Sequence, residues 1–310
     1  MKPRVLTIGS FESNFCLDIS RFPEKGEELF SSGVREYRCG GRGAVAAVTF
    51  ANLGADCLFC GKSGADTDGA RLKQIFARHK IDTRFISVAR NHTTDYTVVV
   101  NEDDGSVRRL RFPGASAMLS AEDVEEAFTA YPDAVFVQLD VPVRAAIAAL
   151  SYAKRQNVPI ITDASPIPQG FSFDRFPSGE KFDVFITNTE KTKEITGIYP
   201  SNADNCLRAC FKLATIVKAD HYVIKLGARG AFLYDNTYYK IIPTYECEAV
   251  DLTAAGDAFS ASLAWQYIKS KDIVLSVKYA SAVASMVVSK RGGVESLPTL
   301  DEINSYINGD

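Results

Sequence analysis

The chain has 310 residues, of which 46% are hydrophobic, and carries a formal net charge of −3 with a pI near 5.8. This size allows one large globular domain or two smaller ones. The charge provides no basic field for a nucleic-acid partner, and no apolar run approaches the roughly 20 residues that span a bilayer, so no membrane partner is expected. Without the apolar region of a signal peptide at the N-terminus, the sequence predicts a cytoplasmic protein.

The first half of the chain predicts a strand at residues 5–8, helices at 43–53 and 68–79, and two segments that interrupt this pattern. These segments are residues 15–38 and 94–112, and the second alternates on both sides of an Asp-Asp-Gly turn at 103–105, which is typical of a β-hairpin. Together they predict a small accessory β-sheet that covers a ligand crevice as a lid. An ordinary surface hairpin is the alternative.

From residue 134 onward, strand-like runs alternate with helical patterns. The strands are predicted at 134–139, 159–163, 184–187 and 222–226, and the helices at 143–155, 189–196 and 203–218. This alternation is typical of βαβ units and predicts an α/β fold with a mostly parallel central sheet. No flexible linker interrupts it, so residues 1–310 are expected to form a single domain with the lid segments inserted.

The seven cysteines are scattered along the chain and predict no disulfide framework. Cys57 and Cys60 have the spacing of a redox motif, but strand alternation would direct their thiols to opposite faces. Because His79, His92 and His221 are isolated from one another and from paired cysteines, no structural zinc site is predicted.

The segment 250–259, with the sequence VDLTAAGDAF, places small residues and a carboxylate where a strand at 246–250 is expected to turn into a helix. Free amides and the helix dipole at such an N-terminus favour a phosphate group. Asp257 in the same turn could accept a proton from a hydroxyl that attacks phosphorus. The alternative is an ordinary helix start with an acid in its first turn.

A second glycine turn, GGRGA at residues 40–44, opens the helix at 43–53. Together with residues 251–259, this turn resembles the paired signatures of the ribokinase-like (PfkB) carbohydrate kinase family, closest in motif to its ribokinase branch. The similarity extends over residues 9–10, 23–28, 61–69, 113–115, 137–140, 188, 226–230 and 280–298. It implies a three-layer α/β/α fold with a small β-sheet lid, and ATP-dependent phosphorylation of a sugar hydroxyl with Mg²⁺.

The resemblance also implies roles for individual residues. Asp257 would be the general base, and the amides of Ala254, Ala255 and Gly256 would form the anion hole. The implied nucleotide-binding residues are Asn188, Lys225, Gly227 and Gly230. The implied substrate-binding residues are Glu12, Asn14, Gly40, Gly41, Arg42, Val45 and Asp140. A monovalent cation, K⁺, would be bound at Asp251, Thr253, Val287, Lys290, Gly292 and Ser296.

Two of these roles have ordinary alternatives. Lys225 could be a solvated lysine at the end of a strand, and Asp140 could cap the helix that follows it. The chain also has Lys191 where the family commonly has a glutamate, so that Glu190 or Glu194 would have to replace it near Mg²⁺.

The acceptor end departs further from the ribokinase pattern. Glu12 and Asn14 stand where that branch has asparagine and aspartate, and Val45 replaces an asparagine. A buried sugar hydroxyl left unpaired costs about 1–3 kcal/mol, which disfavours free ribose as the acceptor. Glu12, Arg38 and Arg42 favour an amino or anionic group on the acceptor, whereas Val45 favours an apolar one.

Three further alternatives remain open on the sequence. The chain could be a nucleoside kinase of the same family, or a catalytically weak ligand-binding relative that uses its lid as a signal. The hairpin edge could pair two copies into a homodimer through the lid, or stay solvated.

Overall fold

The computed structural model describes residues 2–309, which contain thirteen strands and nine α-helices. The strands are β1 (Arg4–Ile8), β2 (Glu12–Ile19), β3 (Arg35–Gly40), β4 (Asp56–Gly64), β5 (Ile86–Ala89), β6 (Asp95–Glu102), β7 (Val107–Phe112), β8 (Ala134–Gln138), β9 (Ile160–Asp163), β10 (Phe182–Asn188), β11 (Ala219–Lys225), β12 (Ala231–Tyr234) and β13 (Tyr239–Ile242). The helices are α1 (Arg42–Asn52), α2 (Thr67–Arg78), α3 (Ala121–Phe128), α4 (Val143–Gln156), α5 (Thr189–Thr196), α6 (Ala203–Ile216), α7 (Ala255–Ser270), α8 (Ile273–Val288) and α9 (Leu300–Asn308). Within these residues every helix is too short or too polar for a transmembrane span.

The central sheet has the strand order β13-β12-β11-β10-β9-β8-β1-β4-β5. All strands from β11 to β5 pair in parallel, and only β12 and β13 pair antiparallel at one edge. The prediction of a mostly parallel α/β sheet is therefore confirmed.

Helices cover both faces of this sheet, as the alternation within β1 illustrates. Val5 points into a core shared with α1, α2, α7, α8 and α9, whereas Leu6 and Ile8 point into a core shared with α3, α4, α5 and α6. Because successive side chains of a strand face opposite sides, both faces of a central strand must be apolar. This arrangement gives the three-layer α/β/α architecture.

Four strands form the separate lid sheet, in the order β3-β2-β6-β7. β2 pairs parallel with β6 and antiparallel with β3, and β6 and β7 form the predicted hairpin. The first lid strand begins at Glu12, three residues before the predicted start at residue 15. The lid therefore follows β1 after a three-residue connection.

Two sequence expectations outside the sites have clear outcomes. The predicted strand at 246–250 is wrong, because β13 ends at Ile242 and the segment after it has no neighbouring strand with which to pair. Cys57 and Cys60 lie on opposite faces of β4, in different cores. Burial raises the pKa of both thiols, that of Cys57 to about 12, and both are free.

Candidate active site

Most of the predicted site residues meet at the carboxyl edge of the parallel sheet, where open α/β sheets bind ligands. Asn188 and Lys225 end β10 and β11, and Asp140 follows the end of β8. The start of α1 also approaches this edge, because a Cβ atom at Gly9 would lie only 2.6 Å from the Cα atom of Gly43. The close approach of these two glycines brings Arg42 to the end of β1.

The turn that begins α7 contains three backbone amides that no protein acceptor in the described residues satisfies. Ala254 is the N-cap with φ 66°, a left-handed conformation, and no side chain caps the helix. The amide of Asp257 donates to the Ala254 carbonyl, but within residues 2–309 the amides of Ala254, Ala255 and Gly256 have no protein acceptor. Such free amides at a helix N-terminus form an anion-binding site.

Asp257 lies in the first turn of this helix, and its side chain is 12% exposed. Burial raises the pKa of its carboxyl group, while the nearby charges of Arg42 and Lys225 oppose the increase. Its Oδ1 atom lies 3.5 Å from Nη1 of Arg42. A carboxylate of raised pKa accepts a proton more readily than an exposed one, as a general base must.

Lys225 holds this turn in place through three hydrogen bonds. Its Nζ donates to Asp163 Oδ2 at 2.6 Å, to the Gly256 carbonyl at 3.1 Å and to Ser260 Oγ at 3.0 Å. Asp163 is fully buried and also accepts from Ser260 Oγ at 2.6 Å. The alternative of a solvated Lys225 is therefore wrong, and an ion pair fixes α7 to the ends of β9 and β11.

A cavity of about 590 Å³ lies between the lid and the α7 turn. Its lining includes Asp257 and Gly256 together with six of the seven predicted substrate residues, namely Glu12, Asn14, Gly40, Gly41, Arg42 and Val45. The side chain of Asn14 lies directly over Gly40, where a Cβ atom would be 2.3 Å from Asn14 Nδ2. We call this space the acceptor cavity.

The seventh predicted substrate residue, Asp140, lines an adjoining cavity of about 490 Å³. Its carboxylate accepts hydrogen bonds from the backbone amide and the hydroxyl of Ser10, and burial raises its pKa to about 7. Asp140 does not cap α4, whose N-cap is Pro142, so that alternative is wrong. Glu12 and Arg111 line both cavities and form an ion pair at 3.2 Å.

A third cavity, of about 510 Å³, lies on the other side of the α7 turn and is mostly apolar. We call it the nucleotide cavity, after the ligand that the sequence resemblance implies for Lys225 and Gly227; its lining includes these two residues together with Phe259 and Val288. The predicted nucleotide residues Asn188 and Gly230 do not line it. Asn188 Oδ1 accepts from the Lys191 amide at 2.8 Å as the N-cap of α5, and Gly230 has φ 87° beside the Ile242 carbonyl.

The acceptor and nucleotide cavities meet at the α7 turn, because Gly256 and Leu252 line both of them. A Cβ atom at Gly256 would have no neighbour closer than Lys225 Nζ at 3.7 Å. Protein packing therefore does not require glycine here, and a side chain at this position would extend into the space that the two cavities share. The turn with the three unpaired amides therefore lies where the two cavities meet.

Five of the six residues implied for a monovalent cation lie in the two loops that precede α7 and follow α8, and the sixth, Val287, lies in the last turn of α8. Asp251 joins these loops, since its carboxylate accepts from the amides of Thr253 at 2.9 Å and of Gly292 at 3.1 Å. In residues 2–309 the carbonyls of Asp251, Thr253, Lys290, Gly292 and Ser296 accept no protein hydrogen bond, whereas that of Val287 accepts from the Lys290 amide. Free carbonyl oxygens are suitable ligands for a hard cation.

The substitution at Lys191 has a local consequence. Its Nζ forms an ion pair with Glu194, one of the two glutamates expected to replace the missing acid, so this carboxylate is already paired. Glu190 lies in the first turn of α5. In the described part of the chain no three His, Cys, Asp or Glu side chains are grouped so that they could hold a metal ion.

A family model described as "pfkB family carbohydrate kinase" matches residues 2–300. The chain belongs to the pfkB family of carbohydrate kinases. It is 26% identical to the ribokinase of Haemophilus influenzae over 99% of both proteins, and 27% identical to that of Staphylococcus aureus over 98% of this chain and 99% of that one. The structure of Arabidopsis thaliana ribokinase complexed with ribose and ATP matches 99% of both chains with a TM-score of 0.86 at 23% identity, which confirms the ribokinase-like fold with its lid.

This pfkB-family kinase is a phosphotransferase with an alcohol group as acceptor, as the sequence resemblance implied. Sequence reasoning missed several residues of its cavities. Thr97, Arg109 and Arg111 line the acceptor cavity from the lid, and Asp163 and Ser260 hold Lys225 under the α7 turn. The alternation of Val107, Arg109 and Arg111 was the available signal for the lid residues, because it places them on one face of β7.

Proposed function

We propose that this kinase transfers the γ-phosphoryl group of ATP to a primary hydroxyl of a sugar or sugar derivative, with Asp257 as general base. The observation that carries the proposal is the position of residues 254–257 between the acceptor and nucleotide cavities. Asp257 faces the acceptor side, and the free amides of the preceding residues lie at the junction. A base and an anion hole on the two sides of one turn suit an in-line transfer.

The step follows from this arrangement. The acceptor oxygen attacks the γ-phosphorus and forms a new P–O bond, its proton passes to the Asp257 carboxylate, and the bond to the β-phosphate oxygen breaks so that ADP leaves. The amides of Ala254, Ala255 and Gly256 would stabilise the charge that develops on the transferred group. Lys225 holds the turn rigid through the Gly256 carbonyl.

Two cations are part of the proposal. Mg²⁺ supplies neutralisation of phosphate charge when bound with ATP. K⁺ would be bound by the free carbonyls of the loops that Asp251 joins, immediately before the α7 turn. Because Asp251 fixes both loops, a bound K⁺ would order the turn that carries the amides.

The proposed assembly and compartment rest on separate features. Leu110 and Phe112, which lie on the opposite face of β7 from Arg109 and Arg111, are 55% and 56% exposed, and we infer that a second copy of the chain covers them through the lid.

The seven free cysteines suit a reducing compartment, and we infer that the protein is located in the cytoplasm.

The proposal is tested by ADP release with Mg-ATP and a panel of neutral sugars, sugar acids, amino sugars and nucleosides, with and without K⁺. ADP release that requires an acceptor, and that the substitution Asp257→Asn lowers by roughly 10² to 10⁴, would support it. Turnover restricted to nucleosides would identify a nucleoside kinase instead. Acceptor binding without ADP release from any class would identify a ligand-binding relative and contradict the proposal.

A further inference from the structure

Three arginines line the acceptor cavity, and two of them already have acidic partners. Arg42 pairs with Asp257 at 3.5 Å, and Arg111 pairs with Glu12 at 3.2 Å. Arg109 also lines the cavity, but no carboxylate within residues 2–309 forms an ion pair with it. One guanidinium group in the site is therefore uncompensated by the protein.

The backbone fixes the direction of Arg109. Val107, Arg109 and Arg111 alternate along β7 and all line the cavity, whereas Arg108 belongs to the opposite face. Arg108 pairs with Glu102 at 2.8 Å and lies 4.8 Å above the ring of Phe22. The two adjacent arginines thus differ in environment: one has a partner in the lid, and the other faces the ligand space.

The immediate neighbours of Arg109 in the sheet have apolar side chains. In the antiparallel register Arg109 is opposite Val99, a buried residue that also lines the cavity. Val107 precedes it on the same face. Aliphatic side chains offer no hydrogen-bond acceptor to a guanidinium group. Arg109 is itself exposed, so its charged end is accessible to an anionic ligand that enters the cavity.

The acceptor cavity also contains buried polar atoms without a protein partner. Asn14 Oδ1 and Thr97 Oγ1 are buried and have no hydrogen-bond partner among residues 2–309, and these two residues are opposite each other in the sheet. Arg42 Nε is a third such atom. Thr97 is only 3% exposed. Because unpaired buried polar groups are costly, this side of the cavity is built to bind polar groups such as hydroxyls.

The carboxylates that line the cavity, unlike Arg109, already have protein partners. Glu12 and Asp257 are paired with arginines, and Asp251 accepts from two backbone amides. A positive group on the acceptor would have to compete with these donors for carboxylates that are already engaged. A negative group on the acceptor would instead form an ion pair with Arg109.

We propose that the acceptor is an anionic sugar derivative, whose carboxylate or phosphate group pairs with Arg109 while a hydroxyl at its other end lies against Asp257. This inference rests on the proposed kinase activity and narrows its substrate class. Asn14 and Thr97 would bind hydroxyls between the two ends. Arg109 acts here as a specificity-determining residue and takes no part in proton or phosphoryl transfer.

The test uses matched acceptors that differ only in charge: an aldose, the corresponding aldonate, and the corresponding terminal phosphate ester. kcat/KM is measured for the parent protein, for Arg109→Ala and for Arg108→Ala. Loss of a charged hydrogen-bonding partner should lower kcat/KM for the preferred anionic acceptor about tenfold to a hundredfold in Arg109→Ala. The effect should fall on KM, and the neutral aldose should be unaffected. Arg108→Ala, which removes the same charge from the other face, should change neither.

The two anionic acceptors separate a carboxylate-binding from a phosphate-binding enzyme. Equal effects of Arg109→Ala on neutral and anionic acceptors, or no effect on either, would overturn the inference. Turnover of neutral sugars that depends on Asp257 would then still uphold the kinase activity. If no acceptor is turned over, calorimetric titration of the aldonate and the phosphate ester decides, because the inference requires binding that Arg109→Ala weakens and Arg108→Ala does not.

Discussion

At the scale of single residues, Gly256 is a position where the fold does not require glycine but the space for the ligand does. A Cβ atom there would contact only the end of Lys225 at 3.7 Å, and the residue lies in the first turn of α7. The fold therefore tolerates alanine, but the added methyl group would occupy the junction of the two cavities.

We predict that Gly256→Ala raises the free energy of unfolding by up to about 0.5–1 kcal/mol, since alanine favours helix. Turnover should nevertheless fall roughly tenfold to a hundredfold, because the phosphoryl group is displaced from the amides. Thermal denaturation and ADP release measure the two effects. Full activity in a stable variant would show that nothing passes close to Gly256.

The pH dependence of the enzyme tests the environment of Asp257. Burial raises the pKa of this carboxyl group and Arg42 opposes the increase. Because only the deprotonated form accepts the hydroxyl proton, kcat/KM should fall as pH decreases through this pKa, which lies above the ordinary aspartate value of about 3.9.

Arg42→Gln should therefore move the acid limb of the kcat/KM profile to higher pH, since it removes the charge that favours the carboxylate. Lys154→Gln serves as a control, because Lys154 pairs with Asp183 on α4 and β10, outside the described cavities. A limb that stays in place in Arg42→Gln would exclude Asp257 as the titrating base.

At the scale of elements, the ion pair between Lys225 and Asp163 fixes the start of α7 to the ends of β9 and β11. The side chains are 12% and 0% exposed. Removal of one partner from a buried pair leaves the other charge unpaired, whereas removal of both leaves a smaller penalty. The pair thus connects the stability of the sheet to the position of the amides.

Lys225→Met should lower the free energy of unfolding by about 3–5 kcal/mol in urea denaturation. The double substitution Lys225→Met with Asp163→Asn should recover part of this loss. It should not recover turnover, because the Gly256 carbonyl still lacks its donor. A double variant as active as the parent would show that Lys225 does not position the turn.

Regular elements of this chain could be predicted from local pattern, but their edges and partners could not. The amphipathic helices and the buried strands of the second half follow from hydrophobic period, and they fall within a few residues of the predicted bounds. The expected strand at 246–250 also alternates, yet β13 already forms the edge of the sheet. Local alternation cannot indicate whether a neighbouring strand is available.

At the scale of the whole molecule, the same limit applies to the site. Residues 254–257 could be identified from sequence because one short segment carries both amides and acid. The pairs that shape the cavities join distant positions, Arg42 with Asp257 and Glu12 with Arg111. Only the fold brings such residues together. Alternation could place Arg109 on one face of a strand but could not show that this face lines a cavity, and no local pattern indicated Thr97 or Asp163.

The lid also determines the expected assembly. The apolar side chains of Leu110 and Phe112 lie on an exposed face of β7. We predict that the protein sediments at twice the chain mass of 33.9 kDa, and that Leu110→Lys combined with Phe112→Lys yields monomers because charge is buried without a partner.

Leu275→Lys is a matched control, since this exposed leucine lies on α8, away from the lid. Sedimentation velocity distinguishes the outcomes. A wild-type monomer, or dimers that persist in the lid variant, would contradict assembly through the lid.

The most direct test of the whole account is the turnover of Asp257→Asn with an acceptor that the parent enzyme phosphorylates. The substitution keeps the size of the side chain and removes its ability to accept a proton. We predict that kcat falls by roughly 10² to 10⁴, while calorimetry shows ATP binding within a few-fold of the parent and thermal denaturation shows a folded protein. A variant that turns over as fast as the parent would contradict the mechanism.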